Sequence, residues 1–163
     1  MAVVEWSARH WETLMSEHRA TIDWQRSSAD FTYMTYNRAH DWRFKAETVP
    51  ASATKEYRGD ENRVNPEEAL VAALSSCHLL TFLAVAAKRK LSIDSYRDEA
   101  VGVLEKNAEG KLAITRVTLR PQIVWSGGAT VSADDLAKMH HDAHVGCFIA
   151  NSVKTEVVVE PQL

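Results

Sequence analysis

Cys77 and Cys147 are the only two cysteines in the 163 residues. Cys77 lies in an apolar run, residues 69–87, that carries little else of chemical reactivity. Cys147 closes a later segment that also reads as a helix. Two cysteines are too few for a disulfide scaffold, so they point to thiol chemistry. A thiol reacts as its thiolate, and a free cysteine ionises near pH 8.5 (about). Apolar burial raises that value, so a reactive Cys77 requires a cation brought to it. His78 is next in sequence but points about 100° away around a helix. Arginine is the better partner, because it stays charged when desolvated and donates through a planar fork. An acidic residue is then needed to hold the arginine.

A second chemistry is also open. His140, His144 and Cys147 stand at i, i+4 and i+7, with His141 beside them. One helix face with these residue types can bind zinc. The plainer reading is a solvated helix face with histidines near its C-terminus, where positive charge is favoured.

The elements that must position these residues are legible in part. Asn65 is a good N-cap, Pro66 suits the first helical position, and Glu67 and Glu68 favour the first turn. The helix predicted here spans residues 65–90, closed by Lys88, Arg89 and Lys90. Residues 31–36 and 42–47 are rich in aromatic and β-branched types and read as strands, with residues 48–64 as a loop. Residues 95–106 and 111–125 read as one hairpin. In its second arm Ala113, Thr115, Val117, Leu119, Ile123 and Trp125 share a face. Gly127 and Gly128 make a break, and Ser132 with Asp135 opens a second helix as a capping box. Residues 153–159 read as a last strand. This order predicts an α+β fold with largely antiparallel sheet.

The long helix is apolar nearly all round and needs cover on every side. One sheet in a chain this short covers one side. The expectation is a homodimer whose central helices pack on one another. The polar residues Ser75, Ser76, Cys77, His78 and Thr81 argue for a buried helix rather than a membrane span.

Hydrophobic residues make up 45% and charged residues 25%, as in ordinary globular proteins. The net charge of −3 leaves no whole-chain footprint for nucleic acid. Glu5, Arg9, His10 and Glu12 interrupt the N-terminal stretch, which lacks the apolar core of a signal peptide. A cytoplasmic location is therefore expected.

Residues 65–78, Asn-Pro-Glu-Glu-Ala-Leu-Val-Ala-Ala-Leu-Ser-Ser-Cys-His, resemble the signature of the OsmC/Ohr family, the osmotically inducible and organic-hydroperoxide-resistance proteins. Residues 143–147, Ala-His-Val-Gly-Cys, followed by Asn151 and Ser152, are similar to that family's second-cysteine motif. The resemblance covers roughly residues 15–160 and leaves residues 1–14 as an N-terminal extension to a single domain of residues 15–163. It implies an OsmC-like fold, with antiparallel sheets wrapped around long central helices in an intertwined homodimer. It also implies a thiol-dependent peroxidase acting on alkyl or lipid hydroperoxides, with no cofactor.

By the same resemblance, Cys77 matches the peroxidatic cysteine, Cys147 the resolving cysteine and Glu67 the glutamate of the Asn-Pro-Glu element. Arg38 takes the place of the family's arginine, with Arg43 as the alternative. A Cys77–Cys147 disulfide then awaits an external dithiol, of lipoyl type. Leu74, Leu80, Phe82 and Phe148 are the expected apolar lining for a substrate tail. Phe148 stands where many members have proline, and His78 also departs from the best-known members, which suggests an outlying branch. Glu67 and Cys77 are ten residues apart on one helix, about 15 Å along its axis, so Glu67 should serve the partner's thiol. A non-catalytic dimer that binds an apolar ligand is the remaining alternative.

Overall fold

The computed structural model describes residues 16–128 and 130–162. The expected extension of residues 1–14 lies outside the described residues. The chain divides into two compact units, Met1–Val64 and Asn65–Leu163.

The first unit holds an antiparallel sheet of β1 (Thr21–Asp23), β2 (His40–Phe44) and β3 (Glu47–Ala51), in that order. Lys45, with φ of 52°, makes the tight turn from β2 to β3. That turn splits the strand expected at 42–47. It also adds a strand where a loop was expected, and Pro50 is tolerated because β3 is an edge strand. The strand expected at 31–36 is a turn instead. Thr35 and Tyr36 N–H groups both donate to the Thr32 carbonyl, at 3.1 Å each. The Thr35 hydroxyl lies 2.8 Å from that of Thr32 and accepts the Thr32 N–H. Local threonine bonds of this kind compete with strand pairing.

In the second unit, α1 spans Pro66–Lys88 and begins as its sequence requires. Asn65 Oδ1 accepts from the Glu68 N–H at 2.8 Å, and Glu68 Oε2 accepts from the Asn65 N–H at 3.1 Å. Both arms of the expected hairpin exist, but each is broken at the same level. β4 (Ile93–Asp98) pairs with β7 (Pro121–Trp125), and β5 (Val101–Lys106) pairs with β6 (Leu112–Leu119). Asp98 ties the break together. One carboxylate oxygen accepts the Arg120 N–H at 2.6 Å, and the other accepts the Ser75 hydroxyl of α1 at 2.5 Å.

A register shift in the β5–β6 pairing leaves Thr115 as the extra residue between Arg116 and Ile114. The bulge reverses the alternation, so Ile114 packs on the core and Thr115 bonds Glu105 at the surface. β8 (Glu156–Val159) runs parallel to β6, whereas the other pairings between these strands are antiparallel. α2 (Ala133–Gly146) starts at Ser132, whose hydroxyl accepts the Asp135 N–H at 3.1 Å.

Two apolar clusters fill this unit. Phe82 and Ala86 of α1 meet Met139 and Ala143 of α2 in one. Leu74 meets Val117 and Leu119 of β6 in the other. α1 therefore buries one stripe, Leu74, His78, Phe82 and Ala86. A second stripe, Ala73, Ser76, Leu80, Leu83 and Ala87, recurs every three or four residues and is exposed. By length and composition α1 could also cross a membrane, and only 22% of its most apolar window is buried within the chain.

Candidate functional site

Cys77 and His78 sit on α1 at the level between the two clusters, and each meets a group from α2 or the segment after it. Gly146, the last residue of α2, allows the approach. A Cβ there would stand 3.0 Å from Thr81 Cγ2, tighter than ordinary side-chain contact. Thr81 is one helical turn beyond Cys77, and its hydroxyl donates to the Cys77 carbonyl at 2.9 Å. The residue after Gly146, Cys147, is thus delivered beside Cys77.

Both thiols are free, Cys77 half-buried and Cys147 buried. The Ile149 N–H donates to Cys77 Sγ at 3.5 Å, and the Ala150 N–H donates to Cys147 Sγ at 3.4 Å. Burial and the adjacent Cys77 thiol push the Cys147 thiol above its ordinary value, against the Ala150 and Ile149 N–H groups that favour its anion. The segment after Cys147 is fixed by its own bonds. Asn151 Nδ2 donates to the Val145 carbonyl at 3.0 Å, and the Ser152 hydroxyl donates to the Phe148 carbonyl at 2.7 Å. Asn151 and Ser152, the motif residues, therefore shape the turn that carries Phe148.

His78 and His140 form a second pair, which sequence reasoning did not anticipate. Their Nε2 and Nδ1 atoms lie 3.0 Å apart, with the rings stacked at 5.3 Å between centroids. Phe82 stacks on the His140 ring at 4.3 Å. The outer nitrogens, His78 Nδ1 and His140 Nε2, are buried without a hydrogen-bond partner, as is His144 Nδ1. Burial first, and then the neighbouring His144, lowers the His78 pKa to about 4, with Asp98 opposing. Burial and His78 lower His140 to about 4 as well. The pair is therefore neutral at pH 7. Partners 62 positions apart leave no local signal, and only the packing of α1 on α2 reveals them.

The alternative metal cluster does not assemble. His140 turns to His78 and Cys147 to Cys77, and among the described residues no three His, Cys, Asp or Glu side chains converge on a metal position.

The remaining predicted residues are spread out. Leu74 and Phe82 are core residues, 1% and 0% exposed, so each packs one cluster rather than an open surface. Leu80 and Phe148 are open, at 64% and 80%. Glu67 is half-buried in the first turn of α1 and forms no ion pair among the described residues. The unbroken helix sets it about 15 Å from Cys77 along the axis, beyond a glutamate's reach. Arg38 and Arg43 both belong to the first unit. The Arg38 guanidinium lies 3.7 Å from the centre of the Tyr36 ring and donates to the Tyr33 and Tyr36 carbonyls. Arg43 pairs with Asp23 at 2.8 Å.

Residues 59–162 match the family model described as OsmC-like protein. An OsmC-like protein of unknown function from Vibrio cholerae is 51% identical, with a TM-score of 0.86, 91% of this chain and 100% of that chain being covered. The organic hydroperoxide resistance protein OhrB of Bacillus subtilis shares the fold at 16% identity, with a TM-score of 0.65 over 90% of this chain and 98% of that one. The uncharacterized protein YmaD of Bacillus subtilis is 26% identical over 112 residues, 67% of this chain and 73% of its own length.

Proposed function

Because the chain belongs to the OsmC-like family and has its α+β fold, we propose that it is a thiol-dependent peroxidase for organic hydroperoxides. The observation that carries the reading is the meeting of Cys77 and Cys147 across α1 and the turn after α2, with backbone N–H groups directed at both sulfurs.

The Cys77 thiolate attacks the terminal oxygen of R–O–O–H. The O–O bond breaks, the alcohol leaves with a proton, and Cys77 becomes a sulfenic acid. The Cys147 thiolate then attacks the Cys77 sulfur. An S–S bond forms, the S–O bond breaks, and the oxygen leaves as water once protonated. An external dithiol, of lipoyl type, reduces the disulfide by two successive exchanges. Phe148, 80% exposed and next to Cys147 in sequence, provides apolar surface beside the sulfur pair, which favours substrates with an alkyl tail over hydrogen peroxide.

The working form is proposed to be a homodimer in which the exposed stripe of α1 packs on a second copy. Leu80 and Leu83 at three- and four-residue spacing suit such a helix pair. Glu67, which cannot reach its own Cys77, acts toward the partner subunit's site. Arg38 is proposed as its cation on the strength of the sequence resemblance.

The test is consumption of an alkyl hydroperoxide with a lipoyl-type dithiol as reductant, for the parent and for Cys77→Ser. The parent turns over and Cys77→Ser falls to the uncatalysed background. Equal, slow consumption in both overturns the peroxidase reading in favour of a non-catalytic binding protein.

A further inference from the structure

The Cys147 thiol has two functions to serve if the proposed chemistry holds, and the two residues that follow its neighbour Phe148 are placed to assist both. The Ile149 N–H donates to Cys77 Sγ at 3.5 Å. It also lies close enough to Cys147 to favour that sulfur's anion, together with the Ala150 N–H at 3.4 Å. We infer that the Ile149 N–H is a catalytic hydrogen-bond donor that stabilises negative charge first on Cys77 and then on Cys147.

The physical argument rests on position and desolvation. A hydrogen bond to a charged group is stronger than one to the neutral thiol. A main-chain donor needs no side-chain ordering when the anion forms. Cys147 is 1% exposed, so water cannot replace the bond there. The turn that holds the donor is fixed by four bonds that do not involve it. Asn151 N–H donates to the Cys147 carbonyl at 3.1 Å, and Ser152 N–H to the Ile149 carbonyl at 3.0 Å. The Asn151 and Ser152 side chains add the other two. Cys147 therefore brings to Cys77 a second sulfur and an anion-stabilising amide in one segment.

This inference rests on the thiol reading of the site but is tested without peroxide. Ile149 has φ of −68° and ψ of −41°, which proline adopts, so Ile149→Pro removes one N–H with little demand on its own backbone angles. In a Cys147→Ser background, alkylation by iodoacetamide reports Cys77 alone. Its pH dependence is measured for that background, for Ile149→Pro and for Ile149→Ala, which keeps the donor. Ile149→Pro raises the apparent Cys77 pKa by about one unit and slows alkylation at pH 7 about tenfold. Ile149→Ala restores the background behaviour. Equal titration curves for Ile149→Pro and Ile149→Ala overturn the inference.

A second measurement needs no substitution at 149. In folded Cys147→Ser protein, the Ile149 amide proton moves downfield through the pH range in which Cys77 ionises. An unmoved resonance overturns the inference even if Ile149→Pro proves unstable. The peroxidase reading fails separately, on hydroperoxide consumption, and a donor effect on the pKa survives that failure.

Discussion

Cys77 and His78 are consecutive on α1 and meet partners from the same later segment, yet their surroundings prepare them for opposite states. The sulfurs face backbone N–H groups at 3.5 and 3.4 Å, which favour an anion. The imidazoles face each other and Phe82, and their outer nitrogens have no partner. A cation there is penalised by burial, and both pKa values fall to about 4. The same helix crossing thus gives one pair N–H donors that support an anion and leaves the other without a partner that could support a cation. At Cys147 those donors oppose burial without outweighing it.

Three experiments test this contrast, in order of effect. The largest acts on the sulfur pair. Cys147→Ser consumes one equivalent of alkyl hydroperoxide and stops, with the Cys77 sulfenic acid trapped by dimedone. Sustained turnover with the same dithiol would show that Cys147 does not resolve. The second acts on the imidazole pair. His140→Ala removes ring packing on Phe82 and leaves His78 without its partner, destabilising the fold by about 3 kcal/mol in denaturant unfolding. A loss below about 1 kcal/mol would mean that the pair contributes little.

The third uses pH. Histidines held near pKa 4 in the folded state, against 6.5 unfolded, bind fewer protons folded than unfolded between those values. Stability is full above pH 6.5 and falls as the pH drops toward 4. One protonating histidine accounts for about 2 kcal/mol lost by pH 5. His144 adds to this penalty and Asp98 offsets part of it. Denaturant midpoints at pH 7, 6 and 5 check the slope, and a flat profile would contradict the neutral pair.

Where the fold was readable, the signal was local. Asn65, Pro66 and Glu68 announce the start of α1, and Ser132 with Asp135 that of α2, because a cap is made by residues three apart. The strands were harder. Phe31 and Tyr36 have strand-forming types, but Thr32 and Thr35 close a turn between them. Thr115 has the right parity for the core, yet a bulge gives that place to Ile114. Leu74 and Phe82 look like pocket lining from their nearness to Cys77, and the two clusters claim them instead.

By itself the sequence determined that the chain carries two thiols on two capped helices, one of them too apolar to be covered by a single sheet. Those properties follow from residue type and from spacings of three and four. Only the tertiary structure decided which groups meet. The approach of α1 to α2 at Gly146 sets Cys77 beside Cys147 and His78 against His140, contacts between positions 70 and 62 residues apart. Such pairings depend on the crossing of packed helices, which neither helix encodes alone.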